Sequence, residues 1–447
     1  MIYNREAETM PRKQIEALQL ERMKHIVRYC YDNVKLYHDR FDAAGFDPDK
    51  FKALSDIKYI PPTTKDDLRD NYPFGLFAVP QKKVVRIHAS SGTTGKPTVV
   101  GYTKNDLDMW SEIMARLIAA AGVNDEDIAQ ICFGYGLFTG ALGLHYGLER
   151  LGASVVPSSS GNSEKQIMLM KDFGTTTLIA TPTYALYLGE LAAELGYGPD
   201  DFKLRIGLFG SEGSTPEMRA KIEQKLGLFA TDNYGMSELI GPGVSGECEF
   251  RDGLHINEDH FFTEVVDPDT LEEKAEGEVG ELVITTLPLL RYRTRDLSRV
   301  TYAPCRCGRT TARMDKIMGR SDDMIKVKGV NVFPSQIESV LMPMSQISPH
   351  YMLYVRHEGY TDTLEVKVEL IDGSLLERWS DLEKLQETIH AKLRTVLGID
   401  AKVTLVQPKT IERFQGKAKR GKERAKPIVP GTEGPHLKVY HEGKDPG

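Results

Sequence analysis

Apolar and polar residues along this chain follow two different periods, which predicts a mixture of helices and strands. From Arg12 to Ala44, apolar side chains recur at helical spacing among Lys, Arg and Glu, so amphipathic helices are expected there. Between Val84 and Ala230, short apolar runs such as VVRIHAS, TTLIATP and LRIGLFG alternate with helical patterns. Strands that alternate with helices predict an α/β fold with parallel βα layers.

The pattern of apolar, polar and turn residues changes after Gly246 and again near Gly319. Shorter strand-like pieces, HFFTEVVDPDT and GEVGELVITT, predict an antiparallel or barrel-like subdomain. The polar stretch GRSDD then precedes a strand, a turn and a helix that begins at Pro334, so the domain boundary is placed there. We expect a large domain over residues 1–320 and a compact α+β domain over 321–425. Residues 426–447, rich in Lys, Pro and Gly, are expected to form a flexible tail.

Composition and charge narrow the class of protein. A chain of 447 residues with 40% hydrophobic and 27% charged residues is typical of a soluble enzyme with more than one domain. A net charge of -7 disfavours nucleic acid and anionic membranes as partners and favours small molecules. The charged N-terminus resembles no signal peptide and no apolar run reaches about 18 residues, so a cytoplasmic protein without a membrane span is expected.

A Ser/Thr/Gly-rich segment follows the strand-like run VVRIHA and indicates a phosphate site. Glycines allow close backbone approach, hydroxyls and amides donate to phosphate oxygens, and a lysine adds positive charge. The spacing excludes a Walker P-loop, because only two residues separate the glycines and Pro97 follows the lysine. The candidate phosphate-binding residues are Ser90, Ser91, Gly92, Thr93, Thr94, Gly95 and Lys96.

This segment resembles the phosphate loop of the adenylate-forming superfamily, and the resemblance extends to about Arg420. The motifs FGYGLFTG, RYRTRD and GRSDDMIKVKGVNVFPSQIE are most similar to those of bacterial phenylacetate-CoA ligases. The resemblance implies a large N-terminal AMP-binding domain and a small, mobile C-terminal lid. It also implies a reaction in which ATP and an arylacetic acid form an acyl-adenylate and pyrophosphate, after which coenzyme A displaces AMP. Relatives of this family suggest a homodimer.

The resemblance assigns the nucleotide site residue by residue. Tyr234, with Asp232, Asn233 and Ser237 in the motif DNYGMSE, would bind the nucleotide. Glu238 of the same motif would be catalytic by ligating Mg²⁺, which prefers hard oxygen ligands. The remaining nucleotide residues would be Glu212 near the adenine, Asp296 at the ribose hydroxyls, and Arg320 at the ribose and phosphate.

The resemblance also assigns roles within the lid. Lys417 in the segment RFQGKAKR would be the catalytic lysine that neutralises charge growing on the phosphate. Asp322 would be the hinge, and Gly329 and Val330 would line the pantetheine tunnel for coenzyme A. The segment GKER after Arg420 departs from the family pattern, so the end of the lid is expected to differ.

The acyl pocket is assigned to Phe133, Phe138, Gly210 and Ser211, because aromatic rings contact a phenyl group and glycine leaves room for it. Phe133 stands where the family carries tyrosine, and Leu144 replaces a smaller residue. The loop at Thr285–Pro288 is several residues shorter than in related ligases, which would reshape acid access or weaken the enzyme. These departures concern the identity of the acid more than the type of reaction.

Four residues form a candidate zinc site. Cys248, His255, Cys305 and Cys307 offer three thiolates and one imidazole, a set that suits tetrahedral structural zinc. Reduced cysteines without a metal remain the alternative, and His260 is a possible substitute ligand.

Other functions stay open at this stage. The short loop and altered tail are compatible with a nucleotide-binding regulatory protein that has lost ligase activity. A ligase for another aryl acid such as indoleacetate, or an enzyme that loads a carrier protein, would use the same motifs.

Overall fold

A layer of helices forms the N-terminal part of the chain in the computed structural model, which describes residues 1–90, 97–321, 325–327, 330–358, 361–411 and 440–442. The predicted amphipathic helices are confirmed, since the second helix buries Ile15, Met23 and Val27 along one face. The helices of this layer are α1 (Arg5–Glu8), α2 (Arg12–Asn33), α3 (Lys35–Ala44) and α4 (Lys65–Asp70).

A two-stranded antiparallel hairpin leads into a buried helix. The two strands flank residues 91–96, which lie outside the described part of the chain. The helix begins with a capping box in which Thr103 and Asp106 exchange side-chain and backbone hydrogen bonds. These elements are β1 (Arg86–Ala89), β2 (Val99–Tyr102) and α5 (Lys104–Ala120).

The predicted parallel βα layers follow. Five strands pair in parallel in the order β4-β3-β5-β6-β7, and helices connect them. The strands β5 and β6 are buried along their whole length, as expected for a sheet covered on both faces. The elements are β3 (Ile128–Ile131), α6 (Gly140–Leu151), β4 (Ser154–Val156), α7 (Ser163–Asp172), β5 (Thr177–Ala180), α8 (Pro182–Glu194), β6 (Ile206–Phe209), α9 (Pro216–Leu226) and β7 (Phe229–Met236).

The strands that follow Met236 in the large domain pair in antiparallel fashion. Four of them extend the parallel strands into one nine-stranded sheet of order β13-β14-β9-β8-β7-β6-β5-β3-β4. Four others form a separate antiparallel sheet of order β10-β11-β12-β15, which corresponds to the predicted barrel-like subdomain. The strands are β8 (Gly241–Glu247), β9 (Leu254–Ile256), β10 (Phe262–Val266), β11 (Gly280–Thr286), β12 (Leu289–Ser298), β13 (Val300–Thr301), β14 (Arg313–Met314) and β15 (Gly319–Arg320).

The C-terminal part is an α+β unit with a hydrophobic core of its own, which includes Val332, Leu353, Ile389 and Val403. Its main sheet has the order β20-β19-β18-β21. The α/β class with a smaller C-terminal domain is therefore confirmed, whereas the boundary at residue 321 stays a prediction. The elements are β16 (Ile325–Val327), β17 (Val330–Val332), α10 (Pro334–Leu341), β18 (Ile347–Glu358), β19 (Thr361–Leu370), α11 (Trp379–Leu397), β20 (Ala401–Val406) and β21 (Tyr440–Glu442).

Among the described residues, no helix combines the length and the apolar character needed to cross a bilayer.

Candidate active site

The carboxyl ends of two neighbouring parallel strands carry the first group of predicted site residues. Strand β6 ends at Phe209 and leads into Gly210, Ser211 and Glu212. A side chain on Gly210 would lie only 2.8 Å from the main-chain oxygen of Asn233 on β7, so this position accommodates glycine alone without movement. The Asn233 side-chain amide also donates to the Phe209 carbonyl at 2.7 Å. Ligand sites of open α/β sheets lie at such strand ends.

A buried carboxylate joins three predicted nucleotide residues. The Tyr234 hydroxyl donates to Asp296 Oδ2 at 2.7 Å, and Arg320 Nη1 contacts Asp296 Oδ1 at 2.8 Å. Burial raises the pKa of Tyr234 well above its ordinary value, and the Asp296 charge raises it further, so the phenol keeps its proton. Antiparallel pairing of Asp296 with Arg320 between β12 and β15 holds the ion pair in register. The three side chains form one connected hydrogen-bonded group.

Glu238 is buried at the start of a short 3-10 turn, Ser237–Leu239. The Tyr292 hydroxyl donates to Glu238 Oε1 at 3.1 Å, and Lys65 Nζ lies 4.0 Å from the same oxygen. Lys65 is held there because Thr63 forms a parallel bridge with Tyr292 on β12. A buried carboxylate with a lysine beside it provides a hard oxygen ligand and a positive charge at one point.

Two predicted nucleotide residues use their carboxylates in contacts with the protein. Glu212 Oε1 accepts the main-chain amide of Thr183 at 2.7 Å, at the beginning of α8. Asp232 Oδ2 pairs with Arg219 Nη2 at 2.9 Å and with Lys316 Nζ at 2.5 Å. Their assigned contacts with the nucleotide stay predictions.

Ser90 is the one predicted phosphate-loop residue within the described part of the chain. Its main-chain amide donates to the Thr98 carbonyl at 2.9 Å, and its hydroxyl accepts the Thr98 amide at 2.9 Å. This pair closes the base of the loop between β1 and β2. Six further predicted residues lie outside the described residues: Ser91, Gly92, Thr93, Thr94, Gly95 and Lys96.

Three predicted lid residues also lie outside the described part of the chain. Lys417, Asp322 and Gly329 belong to the ranges that are not described, and only the backbone of Val330, in β17, is. Their roles stay predictions.

The predicted acyl-pocket aromatics lie together. The rings of Phe133 and Phe138 pack edge to face with centroids 6.3 Å apart. Phe133 and Leu144 are buried in the core cluster that also contains Ile240. Ser211 has a φ of 69°, an unusual backbone conformation for a serine that directly follows Gly210. The shortened Thr285–Pro288 connection is a tight turn between β11 and β12, and the Pro288 carbonyl contacts the Cys30 thiol at 3.5 Å.

The four predicted zinc residues form a separate cluster. Their ligand atoms all lie within 4.8 Å of one another. Cys248 Sγ is 3.8 Å from Cys305 Sγ, and His255 Nε2 is 3.3 Å from Cys307 Sγ. The Cys248 thiol beside it lowers the pKa of Cys307, and His255 lowers it further. His260, the alternative ligand, instead pairs with Asp259 at 3.2 Å.

Comparison with known proteins decides the family. The model of AMP-binding enzymes matches residues 17–290, and that of the AMP-binding enzyme C-terminal domain matches residues 329–424. The chain is 48% identical to a phenylacetate-coenzyme A ligase of Thermus thermophilus, over 93% of this chain and 98% of that protein. It is 49% identical to the Escherichia coli protein of the same name, over 92% of this chain and 95% of that protein. The chain belongs to the phenylacetate-CoA ligase family of AMP-binding enzymes.

Solved structures of another CoA ligase share the fold of this phenylacetate-CoA ligase family member. A 2-hydroxyisobutyryl-CoA ligase in the postadenylation state matches with a TM-score of 0.88 at 29% identity, covering 95% of this chain and 92% of that chain. The same enzyme in its thioesterification state matches with a TM-score of 0.69 at 30% identity, covering 93% and 91%. Both matches show the same fold.

Lys65 and Tyr292 contact a predicted site residue, although the sequence motifs assign neither of them a role. Both contact Glu238, but they come from segments far apart in the chain. Tyr292 lies inside the motif RYRTRD, in which the family resemblance assigns a role to Asp296 alone. Lys65 follows Thr64, whose side chain caps α4, and this capping signal alone does not indicate an active site. The pairing of Thr63 with β12 brings Lys65 next to Glu238.

Proposed function

We propose that this enzyme ligates phenylacetate to coenzyme A with ATP, through a phenylacetyl-adenylate. Identity of 48–49% to phenylacetate-CoA ligases over nearly the whole chain carries this proposal. The contacts among Tyr234, Asp296 and Arg320, and those of Glu238, support it, because they assemble the side chains that the family motifs assign to the nucleotide.

In the proposed first half-reaction, a carboxylate oxygen of the acid attacks the α-phosphorus of ATP. An O–P bond forms, the bond to the β-phosphate oxygen breaks, and pyrophosphate leaves. Asp296 accepts hydrogen bonds from both ribose hydroxyls, while Arg320 fixes the position of the aspartate. Lys65 and Lys417 supply positive charge at the phosphates, where negative charge develops. The phosphate loop from Ser90 to Lys96 cradles the leaving group.

Glu238 fits a magnesium site. A buried carboxylate is the hard oxygen ligand that Mg²⁺ takes in small number beside substrate phosphates. When bound, the ion neutralises phosphate charge, and Glu238 holds its carboxylate in place through the Tyr292 hydroxyl.

In the proposed second half-reaction, the thiol of coenzyme A attacks the acyl carbon. A C–S bond forms, the bond from carbon to the AMP oxygen breaks, and AMP leaves. We propose that Asp322 serves as the hinge of the lid and that Gly329 and Val330 then line the pantetheine tunnel. The two TM-scores, 0.88 and 0.69, support two arrangements of the same domains in this fold.

The proposed acid is small and aromatic. Phe133 and Phe138 offer ring contacts to a phenyl group, and Gly210 allows β6 to lie close against Asn233 beside them. Leu144, larger than the residue expected there, is fully buried in the same core and favours phenylacetate over the wider indoleacetate.

The cysteine cluster is proposed to hold structural zinc. Two sulfurs on a tetrahedral zinc at about 2.3 Å would be about 3.8 Å apart, which agrees with the Cys248–Cys305 distance of 3.8 Å. The other imidazole nitrogen of His255 lies 3.2 Å from the Thr311 hydroxyl, so a second contact orients the ring as in other zinc sites. Four protein ligands leave no open position, so the role is structural.

A homodimer and a cytoplasmic location complete the proposal. The homodimer comes from the family resemblance, and the cytoplasmic location comes from the sequence prediction. Light scattering of the purified protein tests the dimer, because a mass of about 50 kDa would contradict it.

Release of AMP and pyrophosphate tests the proposed function. Purified protein is incubated with ATP and benzoate, phenylacetate, 4-hydroxyphenylacetate or indoleacetate, each with and without coenzyme A. We expect AMP that depends on both phenylacetate and coenzyme A. Preference for indoleacetate would reassign the acid, transfer to a carrier protein would reassign the acceptor, and ATP binding without AMP would favour the regulatory alternative.

A further inference from the structure

Three buried aromatic side chains meet behind the proposed acyl pocket. His88 lies on β1, Tyr102 on β2 and Trp110 on α5, and each is at most 2% exposed. The Tyr102 and Trp110 rings stack with centroids 5.1 Å apart, and the His88 ring stands edge-on to both. We call these three residues the aromatic cluster. None of them belongs to the motifs that indicated the active site.

Each member of the aromatic cluster donates one hydrogen bond to a main-chain carbonyl. His88 Nδ1 contacts the Leu137 oxygen at 3.0 Å; because a carbonyl only accepts, this nitrogen carries the proton. The Tyr102 hydroxyl donates to the Ile240 oxygen at 2.8 Å. Trp110 Nε1 donates to the Pro242 oxygen at 2.8 Å. Burial lowers the pKa of His88, which keeps the ring neutral.

The three acceptors belong to two loops. One is the acyl loop, residues 133–140, and the other is the connection from Glu238 into the start of β8, residues 238–242. The acyl loop also touches the residue before this connection, since Thr139 Oγ1 and Ser237 Oγ are 3.2 Å apart. A side chain on Gly241 would come within 2.7 Å of the Trp110 ring. The indole therefore lies directly against the main chain of the second loop.

The acyl loop is attached to the phosphate-loop hairpin at the same point. The Leu137 carbonyl accepts the Ala89 amide at 3.0 Å as well as the His88 ring. Ser90, the first residue of the phosphate loop, follows directly. The distance between the acid and the α-phosphate therefore depends on this attachment, and small misplacements of reacting groups slow a bimolecular step strongly.

We infer that His88, Tyr102 and Trp110 are positioning residues that set the acyl loop and the 238–242 connection against the β1–β2 hairpin. This inference rests on the proposed function. Loss of one of these hydrogen bonds should slow the ligation as a whole, because the acyl loop carries Phe133 and Phe138 and the connection begins with Glu238.

The substitution Tyr102→Phe tests the inference, with Tyr184→Phe as its matched control. Both tyrosines are 1% exposed, but the Tyr184 hydroxyl bonds Ser163, away from the two loops. We expect Tyr102→Phe to lower kcat/KM for both phenylacetate and ATP about tenfold, as loss of one buried hydrogen bond would. Both variants should lower Tm by similar amounts, and Tyr184→Phe should leave both kcat/KM values near wild type.

Hydrogen exchange provides a readout that needs no turnover. In Tyr102→Phe, amides of residues 133–140 and 238–242 should exchange faster than in wild type, and in Tyr184→Phe they should not. His88→Asn, which retains a donor near the Nδ1 position, should restore protection that His88→Leu loses. Unchanged exchange in both loops of Tyr102→Phe would overturn the inference. Wild-type protein that makes no AMP would overturn the proposed function, while the exchange result would still decide the positioning role.

Discussion

At the scale of single residues, the site depends on charges placed at buried positions. The Asp296 carboxylate receives one bond from a phenol and one from a guanidinium, so both of its oxygens are already oriented before a nucleotide arrives. Glu238 is oriented by Tyr292 in the same way. Preorganised groups of this kind stabilise developing charge without the cost of rearrangement.

Lys65 offers the sharpest prediction at this scale. Replacing it by methionine removes the positive charge beside Glu238 but keeps most of the aliphatic stem. We expect kcat/KM for ATP to fall about 100-fold, the lower end of the range seen for loss of a group that stabilises transition-state charge. Steady-state kinetics with varied ATP measures this effect. Lys58→Met, which changes an exposed lysine in the same segment, serves as the control, and equal losses in both variants would show that Lys65 has no special role.

At the scale of elements, the buried carboxylate of Asp127 connects the amino ends of the central strands. Asp127 precedes β3 and accepts bonds from Thr176 before β5 and from Arg205 before β6. Burial acts to raise the pKa of Asp127, but the bonds from Arg205 and Thr176 outweigh it and lower the pKa. The folded state therefore favours the ionised carboxylate.

Asp127→Asn should destabilise the protein in a pH-dependent manner. Because the folded pKa lies below the unfolded value of about 3.9, the stabilisation is complete above that pH and disappears as the pH falls through the folded pKa. We expect the variant to lose about 2 kcal/mol of unfolding free energy at pH 7. Denaturant titrations at pH 7 and near pH 3 measure the difference. A deficit that stays constant between the two pH values would contradict this account.

The cysteine cluster connects a second set of elements. It joins the ends of β8 and β9 to the connection between β13 and β14. Metal analysis of the purified protein should give about one zinc per chain. Cys307→Ser should lose the metal and lower Tm, because metal binding to a folded site contributes folding free energy. Cys132→Ser, at a buried thiol outside the cluster, should retain zinc. Absence of zinc from wild-type protein purified without chelators would favour unliganded thiols.

Elements and motifs differ in how far the sequence predicts them. The helices from Arg12 were predictable because buried residues recur with a helical period, and the parallel layers because short apolar runs alternate with helical patterns. The Tyr234–Asp296–Arg320 group was predictable because each residue sits in a motif. Lys65 and the aromatic cluster were not, since their contacts depend on pairing between distant segments. Local sequence does not encode which carbonyl a buried tryptophan reaches.

At the scale of the whole molecule, two domains serve one reaction with two steps. Lys409 on the small domain lies 3.0 Å from Glu194 on α8, but both side chains are largely exposed. Exposed pairs contribute little, so this contact adds little to the stability of the contact between the two parts of the chain.

Lys417→Ala should separate the two half-reactions. We expect formation of the acyl-adenylate from ATP to fall about 100-fold or more, because the charge that Lys417 supplies is needed at the phosphate. Transfer from supplied phenylacetyl-adenylate to coenzyme A should stay within about threefold of wild type. Rapid-quench assays of each half-reaction measure both rates. Lys409→Ala is the control on the same domain, and equal loss in both half-reactions of Lys417→Ala would contradict the assigned role.

The path of the carboxylate oxygen tests the central proposal most directly. Phenylacetate labelled with ¹⁸O in both carboxylate oxygens is incubated with ATP, coenzyme A and the protein, and the nucleotide product is analysed by mass spectrometry. An acyl-adenylate requires one labelled oxygen to appear in AMP, because the acid oxygen that attacks the α-phosphorus leaves with it. AMP without label, or label found in phosphate with ADP as the product, would contradict ligation through an adenylate.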